Sequence, residues 1–168
     1  MANGQRKIIV LVGNVGTGKS AHVLVNYSGI PEFVVWNHDE YSIMLNGGKY
    51  EYRKEVYPLL KGAQKDFLRR AIKGGFNIVF DGTNINIQSR KSLLTMVSNT
   101  CKEQGVPLGL YEIQAIDFGP GDEISLKRRM NDPKGLASEE WFHVHENMQQ
   151  RYEPPTVNEG FTLISDLH

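Results

Sequence analysis

The apolar run Ile8-Ile9-Val10-Leu11-Val12 passes directly into Gly13-Asn14-Val15-Gly16-Thr17-Gly18-Lys19-Ser20. A buried strand, a glycine-rich loop and a helix start in that order predict a loop whose backbone closes round an anion at a helix N-terminus. The spacing GxxxxGK[ST] gives each part a task. The glycines let successive N–H groups converge without a Cβ clash, the lysine reaches the terminal phosphates, and the serine hydroxyl joins a Mg²⁺ shell. Gly13, Asn14, Val15, Gly16, Thr17, Gly18, Lys19 and Ser20, followed by Ala21, are therefore the expected nucleotide-binding residues, with ATP and Mg²⁺ as cofactors. The motif alone does not separate kinases from ATPases, GTPases or nucleotide-regulated switches.

The chain has 168 residues, 40% of them hydrophobic, which suits one domain (1–168) holding both donor and acceptor. Nineteen basic and 19 acidic side chains cancel, so no global basic field announces nucleic acid, although a local basic groove remains compatible. The single cysteine, Cys101, cannot form an internal disulfide and reads as a packing residue. With no apolar stretch near the ~20 residues a membrane span needs, and no secretory h-region, a cytoplasmic setting is expected.

Strand-like runs at Lys7 to Val12, Phe33 to Val35, Phe76 to Phe80, Leu108 to Ile113 and Phe161 to Ile164 alternate with helical periodicity. This predicts an α/β fold, a parallel sheet of about five strands with helices on both faces. The first helix should run from Lys19 to about Asn26, and a second from Glu51 to Lys73, stopped by Gly74-Gly75. Asn86 should cap a helix reaching about Gln104. Asp122 or Glu123 should start a short basic helix through Met130, and Ser138 should cap a last helix that Pro154-Pro155 terminates.

Phosphoryl transfer asks a protein to align the acceptor, neutralise charge and help remove a proton. Asn37-His38-Asp39-Glu40-Tyr41 follows the second strand, where loops converge on the phosphate site, so Asp39 is either the base or merely the cap of the following helix, Glu40 to Leu45. Asp81-Gly82-Thr83-Asn84 follows the third strand; Asp81 binds the metal's water shell, orients the acceptor, or plays a structural role by bonding the phosphate loop's backbone, and Asn84 can be a simple turn residue. Lys127-Arg128-Arg129 and the loop to Gly135 suit a small helical lid, about 119–137, whose Arg128 or Arg129 meets the transferring phosphoryl group. Lys61, Lys65, Arg69, Arg70 and Lys73 form a second basic stripe, which reads as an exposed helix face or as a track for a nucleic-acid backbone. His143 and His145 read as surface or packing residues. Glu153 to Thr156 is a candidate wall for adenine.

Gly13 to Ser20, Asn37-His38-Asp39, Asp81-Gly82-Thr83-Asn84 and Arg90 stand in the order and spacing of the polynucleotide 5′-hydroxyl kinases. The chain resembles the kinase domains of the bacteriophage and eukaryotic end-healing enzymes, and Tyr152 to Phe161 is similar to the end of the eukaryotic domain. The resemblance implies a P-loop kinase fold, Asp39 as general base and Lys19 with Arg128 or Arg129 on the phosphates. It also implies Ser20 and Asp81 at the metal, and an acceptor side formed by His38, Asp39, Tyr41, Asp81, Thr83, Asn84 and Arg90. The implied acceptor is DNA or RNA.

The departures are specific. His38 replaces the arginine of the family's Asn-Arg-Asp, Ser42 stands where the phage enzyme has an arginine, Ala21 replaces a threonine, and no Asp-x-Asp phosphatase motif is present. Similar P-loop kinases act on hydroxymethylated bases of phage DNA or, in toxin-type relatives, on nucleotide sugars. A different class again is an ATP-regulated binding module that transfers nothing.

Overall fold

The computed structural model describes residues 5–51, 53–134 and 136–167. Five parallel strands, β1 (Arg6–Val12), β2 (Phe33–Asn37), β3 (Asn77–Asp81), β4 (Tyr111–Asp117) and β5 (Leu163–Asp166), form one sheet in the order β2-β3-β1-β4-β5. The central strand is β1, and Ile8 to Val12 are at most 2% exposed, as an apolar run flanked by strands on both edges requires. Register decides what meets at the carboxyl ends: Asn37 lies beside Asp81, and Val12 beside Asp117.

The sheet's faces carry different layers. Ile8, Val10 and Val12 pack with Ile78, Phe80 and Ala115 against α3 (Tyr57–Gly74) and α4 (Ile87–Glu103), whose Leu68, Ile72, Leu93 and Val97 are buried. Ile9, Leu11, Val79 and Ile116 face the other way, against Val23 and Tyr27 of and after α1 (Lys19–Asn26). Three further helices stand near the carboxyl ends of the strands: α2 (His38–Leu45), α5 (Glu123–Asn131) and α6 (Ser138–Gln150). Cys101 is buried in the α3/α4 core, as a packing residue should be. Among the described residues, no helix is long and apolar enough to cross a membrane.

The α/β class, parallel sheet and two helical layers match the expectation; several boundaries do not. Glu51 and residues 53–56 are loop and turn, and α3 starts only at Tyr57 with Pro58 in its first turn. Proline lacks the N–H and crowds the carbonyl four residues earlier, so the helix cannot extend a full turn upstream. Tyr52, inside that expected helix, and Gly135, inside the expected lid, lie outside the described residues. Leu108–Leu110 is a 3₁₀ turn, so β4 begins at Tyr111 and continues to Asp117. Asn86 caps α4 and Asp122 caps α5, each side chain accepting an N–H three residues on. At α6 the cap position is Ala137, whose N–H donates to the Glu140 carboxylate at 2.8 Å.

Candidate active site

Gly13 (φ 145°) and Gly16 (φ 74°) take conformations that side chains rarely adopt, and a Cβ on Gly16 would sit 2.0 Å from the Ser125 carbonyl oxygen. Backbone bonds from Gly13 N–H to Thr83 O (2.9 Å) and from Asn14 N–H to Gly119 O (3.1 Å) pin the loop to its neighbours. Asn14, fully buried, adds bonds from its amide to Pro120 O and His145 O and accepts from Val15 N–H. The N–H groups of residues 16–20 donate to no acceptor among the described residues, which leaves a cluster of free donors at the start of α1.

Around that cluster lies a pocket of about 260 Å³ bordered by Lys19, Ser20, Ala21, Asp39, Asp81, Thr83, Arg128, Arg129 and Lys134. Lys19 folds over the loop, its Nζ donating to Gly13 O (2.8 Å) and Asn14 O (2.5 Å). Burial lowers its pKa from 10.5 to about 8, with Asp81 and then Asp39 opposing and Arg129 adding to the fall. Asp81 Oδ2 accepts from Ser20 Oγ (3.0 Å) and from Asn37 Nδ2 (2.7 Å), so it joins α1 to the end of β2 by side chains and leaves the loop backbone alone. Ser20 and Asp81 thus present two hard oxygen donors beside the free N–H cluster. That is a fitting protein contribution to Mg²⁺, which keeps waters and phosphate oxygens for its remaining positions.

Next to this pocket is a groove of about 940 Å³ formed by the end of β2, the start of α2, α3, the end of β3, the loop from β3 to α4, α4 and α6. His38 and Asp39 border it at one end, with Asp81, Thr83 and Asn84; Tyr57, Lys61 and Gln64 line it from α3, and His143, Asn147 and Arg151 from the α6 side. Asp39 borders both the groove and the phosphate pocket. Capping of α2 is done by Asn37, whose side chain accepts the Glu40 N–H at 2.9 Å, so the cap role open to Asp39 in the sequence is already filled. Burial pushes the His38 imidazole pKa down, Asp39 opposes this and Lys61 reinforces it.

Some expected acceptor residues face inward instead. Arg90 is fully buried: Nε and Nη2 bind the Glu159 carboxylate (2.7 and 2.9 Å), and Nη1 donates to Asn84 O and Glu153 O. Its donors join α4 to the chain after α6, and it does not line the groove. Tyr41 stacks on Trp36 at 4.6 Å and packs against the core, outside the groove lining. Asn84 (φ 43°) holds Leu11 O through its amide at 2.8 Å, although it also borders the groove. Glu153 is tied to the β3–α4 loop and the start of α4: its N–H donates to Ile85 O and its carboxylate accepts from Ile87 N–H.

The basic stripe divides as well. Lys65 pairs with Glu103 and Arg69 with Asp66 on an exposed face, whereas Lys61 turns into the groove. Arg129 lies over Trp141, 4.8 Å from the ring centroid, and Lys134 pairs with Glu40 at 2.8 Å, so the segment expected as a lid already reaches α2. His145 is buried against Ser125 Oγ (2.8 Å), a packing role, while His143 borders the groove.

Sequence reasoning passed over Tyr50, Tyr57, Gln64 and Arg151. Tyr57, Lys61 and Gln64 recur at i, i+4 and i+7, a spacing that marks one helix face and was readable. Tyr50 comes from a loop without periodicity; burial and the nearby Asp39 push its phenol up to about 12, and its ring lies 5.5 Å from Trp141.

No protein of the curated set matches the sequence. Among solved structures, a fungal RNA kinase superposes with a TM-score of 0.70 at 17% identity, covering 97% of this chain and 74% of that one. A chain of the Pnkp1/Rnl/Hen1 RNA repair complex gives 0.63 at 17% identity over 88% of this chain, which spans only 46% of its length. Kti12 from Chaetomium thermophilum, solved with ADP-AlF3, gives 0.55 at 17% identity, covering 95% of this chain and 88% of that one. The fold is thus that of the P-loop kinases, a nucleotide-binding architecture. The AAA_33 family, described as an AAA domain, matches residues 8–155. With the phosphate loop, the sheet order and a match over most of its length in agreement, the chain belongs to the AAA_33 family of AAA domains.

Proposed function

We propose that the protein is an ATP- and Mg²⁺-dependent kinase that moves the γ-phosphoryl group of ATP to the 5′-hydroxyl of a DNA or RNA strand. The observation that carries this reading is the position of Asp39, a carboxylate bordering the phosphate pocket on one side and the large groove on the other. A hydroxyl entering from the groove would meet its base and the migrating phosphoryl group at one place.

In this reading the free N–H groups of residues 16–20 cradle the phosphates, and Lys19 exchanges its contacts with Gly13 O and Asn14 O for phosphate oxygens. The anion favours the charged ammonium that burial disfavours in the free protein. Ser20 and Asp81 would hold Mg²⁺, which supplies charge neutralisation on the phosphates. Arg128 and Arg129 oppose the charge on the transferring group, and Asp39 takes the acceptor's proton. Lys61 and Arg151 border the groove without a carboxylate partner among the described residues, so they are available to the phosphates of an acceptor strand.

His38 and Ser42 in place of arginines favour a second reading, the same chemistry on a hydroxymethylated base or a nucleotide sugar. The test is transfer of labelled γ-phosphate from ATP to 5′-hydroxyl oligonucleotides of DNA and RNA, to an end-blocked duplex containing hydroxymethyluracil, and to nucleotide sugars. Label on free 5′ ends alone supports the proposal. Label on the blocked duplex or a sugar instead replaces its acceptor, and tight ATP binding with no label on any acceptor supports the binding-module reading.

A further inference from the structure

Trp141, in the first turn of α6, is 1% exposed and the largest fully buried side chain among the described residues, yet it belongs to neither core layer of the sheet. Its contacts run to the site instead. The Arg129 guanidinium lies over its ring, 4.8 Å from the centroid, and its indole N–H donates to Pro133 O at 2.6 Å. The Tyr50 ring stands 5.5 Å away, and Tyr50 borders a small pocket of about 110 Å³ together with His38, Asp39 and Ser42. One rigid side chain therefore meets the cation-bearing segment at two points and a neighbour of Asp39 at a third.

The cations bordering the phosphate pocket are held in different ways. Lys134 is paired with Glu40, Lys19 donates to two loop carbonyls, and Arg128 is exposed. Arg129 has no carboxylate partner among the described residues; Nη1 reaches Asp132 O at a long 3.4 Å, and Nε is buried without a partner. An aromatic face attracts a guanidinium through its quadrupole and leaves the positive charge and the in-plane N–H groups for another acceptor. A carboxylate in the same place would neutralise that charge and compete with phosphate oxygens. The charge of Arg129 is felt across the pocket, where it adds to the fall in the Lys19 pKa.

We propose that Trp141 is a positioning residue for phosphoryl transfer: its ring holds the Arg129 guanidinium at the phosphate pocket, in register with the Asp39 side, without neutralising it. This rests on the kinase reading above, whichever hydroxyl accepts the phosphate. Base and cation must keep their spacing while the phosphoryl group moves, and small displacements of such groups are costly. A fully buried ring that meets both Tyr50 and the Arg129 segment supplies that spacing.

The experiment measures kcat and the KM for ATP, on an acceptor that the wild type labels, for Trp141→Phe and Trp141→Leu alone and combined with Arg129→Ala or Arg128→Ala. Trp141→Phe keeps a smaller ring and loses the bond to Pro133 O. It should lower kcat about three- to tenfold, and Trp141→Leu about tenfold or more, with the KM for ATP within about twofold. Combined with Arg129→Ala, each loss should shrink below about twofold; combined with Arg128→Ala, it should persist. Arg129→Lys serves as the background if Arg129→Ala transfers nothing, and the Trp141→Phe cycle decides alone if Trp141→Leu does not fold. An unchanged kcat in Trp141→Phe, a loss as large without Arg129 as with it, or a loss that also vanishes with Arg128→Ala overturns the inference and leaves the kinase reading standing. A wild type that labels no acceptor removes the kinase reading and this inference with it.

Discussion

The phosphate pocket and the large groove share Asp39 but are built on different principles. The pocket has a backbone floor, one continuous loop whose N–H groups are held open by glycine conformations and by bonds to Thr83 O and Gly119 O, with charged side chains around it. The groove is mostly side chain, assembled from four stretches of the chain: the end of β2 with the start of α2, α3, the end of β3 through α4, and α6. A backbone site recognises what all nucleotides share, whereas a side-chain site can be retuned residue by residue without disturbing the fold. Of the departures from the kinase pattern, Ala21 borders the phosphate pocket and His38 the groove, while Ser42 lies outside both.

The largest test of that division is Asp39→Asn. Loss of a general base should lower kcat by roughly 10²–10⁴-fold, while ATP affinity in a binding titration stays within about twofold. A parallel loss of ATP affinity would show that the two regions are not separable at Asp39.

Arg90→Met probes the groove's foundation. The Arg90–Glu159 pair is buried, with side chains 0% and 3% exposed, and removing one member strands a buried charge, at a cost of about 3–5 kcal/mol. Denaturant unfolding should register that loss, and the KM for ATP of the folded fraction should not change. An unaltered midpoint would place Arg90 in binding rather than in support.

The pocket should also leave a mark on the pH dependence of the ligand-free protein. Lys19 has a folded pKa of about 8 against 10.5, so the unfolded chain holds the extra proton between those values. Stability should rise as pH climbs from about 8 towards 10, the burial penalty being fully present below 8. Tyr50, pushed up to about 12, acts the other way above pH 10. Thermal midpoints across this range should show the rise, and Lys19→Met should flatten it. A flat wild-type profile would mean that Lys19 is not a buried ammonium.

The smallest expected effect is at the groove's edge. Lys61→Ala should raise the KM for an oligonucleotide about three- to tenfold and weaken its salt dependence, leaving the KM for ATP alone. Equal effects on both substrates would dissolve the boundary between the two regions.

The same contrast explains what the sequence made legible. Strand periodicity and the loop motif are local, so the five strands, α1 and the phosphate-loop residues could be read within one window each. The start of α3 was misplaced because polar periodicity upstream of Pro58 resembles a helix until the proline's missing donor is counted. The burial of Arg90 was not legible because a fully buried arginine and an exposed one are identical in sequence; its partner, Glu159, lies 69 residues away. That Tyr57, Lys61 and Gln64 share one face of α3 follows from their spacing, but that this face borders the groove depends on α4 and α6, which lie elsewhere in the sequence.

The contact between Gly16 and Ser125 sets a mechanical limit. With a Cβ-sized gap already closed by the Ser125 carbonyl, and Asn14 bonded to Pro120 O and His145 O, the base of α5, the start of the phosphate loop and α6 form one block. Any excursion of the segment bearing Arg128, Arg129 and Lys134 must pivot beyond Ser125. The travel of those cations is that of a short lever on a fixed fulcrum, and substitution at Gly16 would shift the fulcrum before it touched a phosphate.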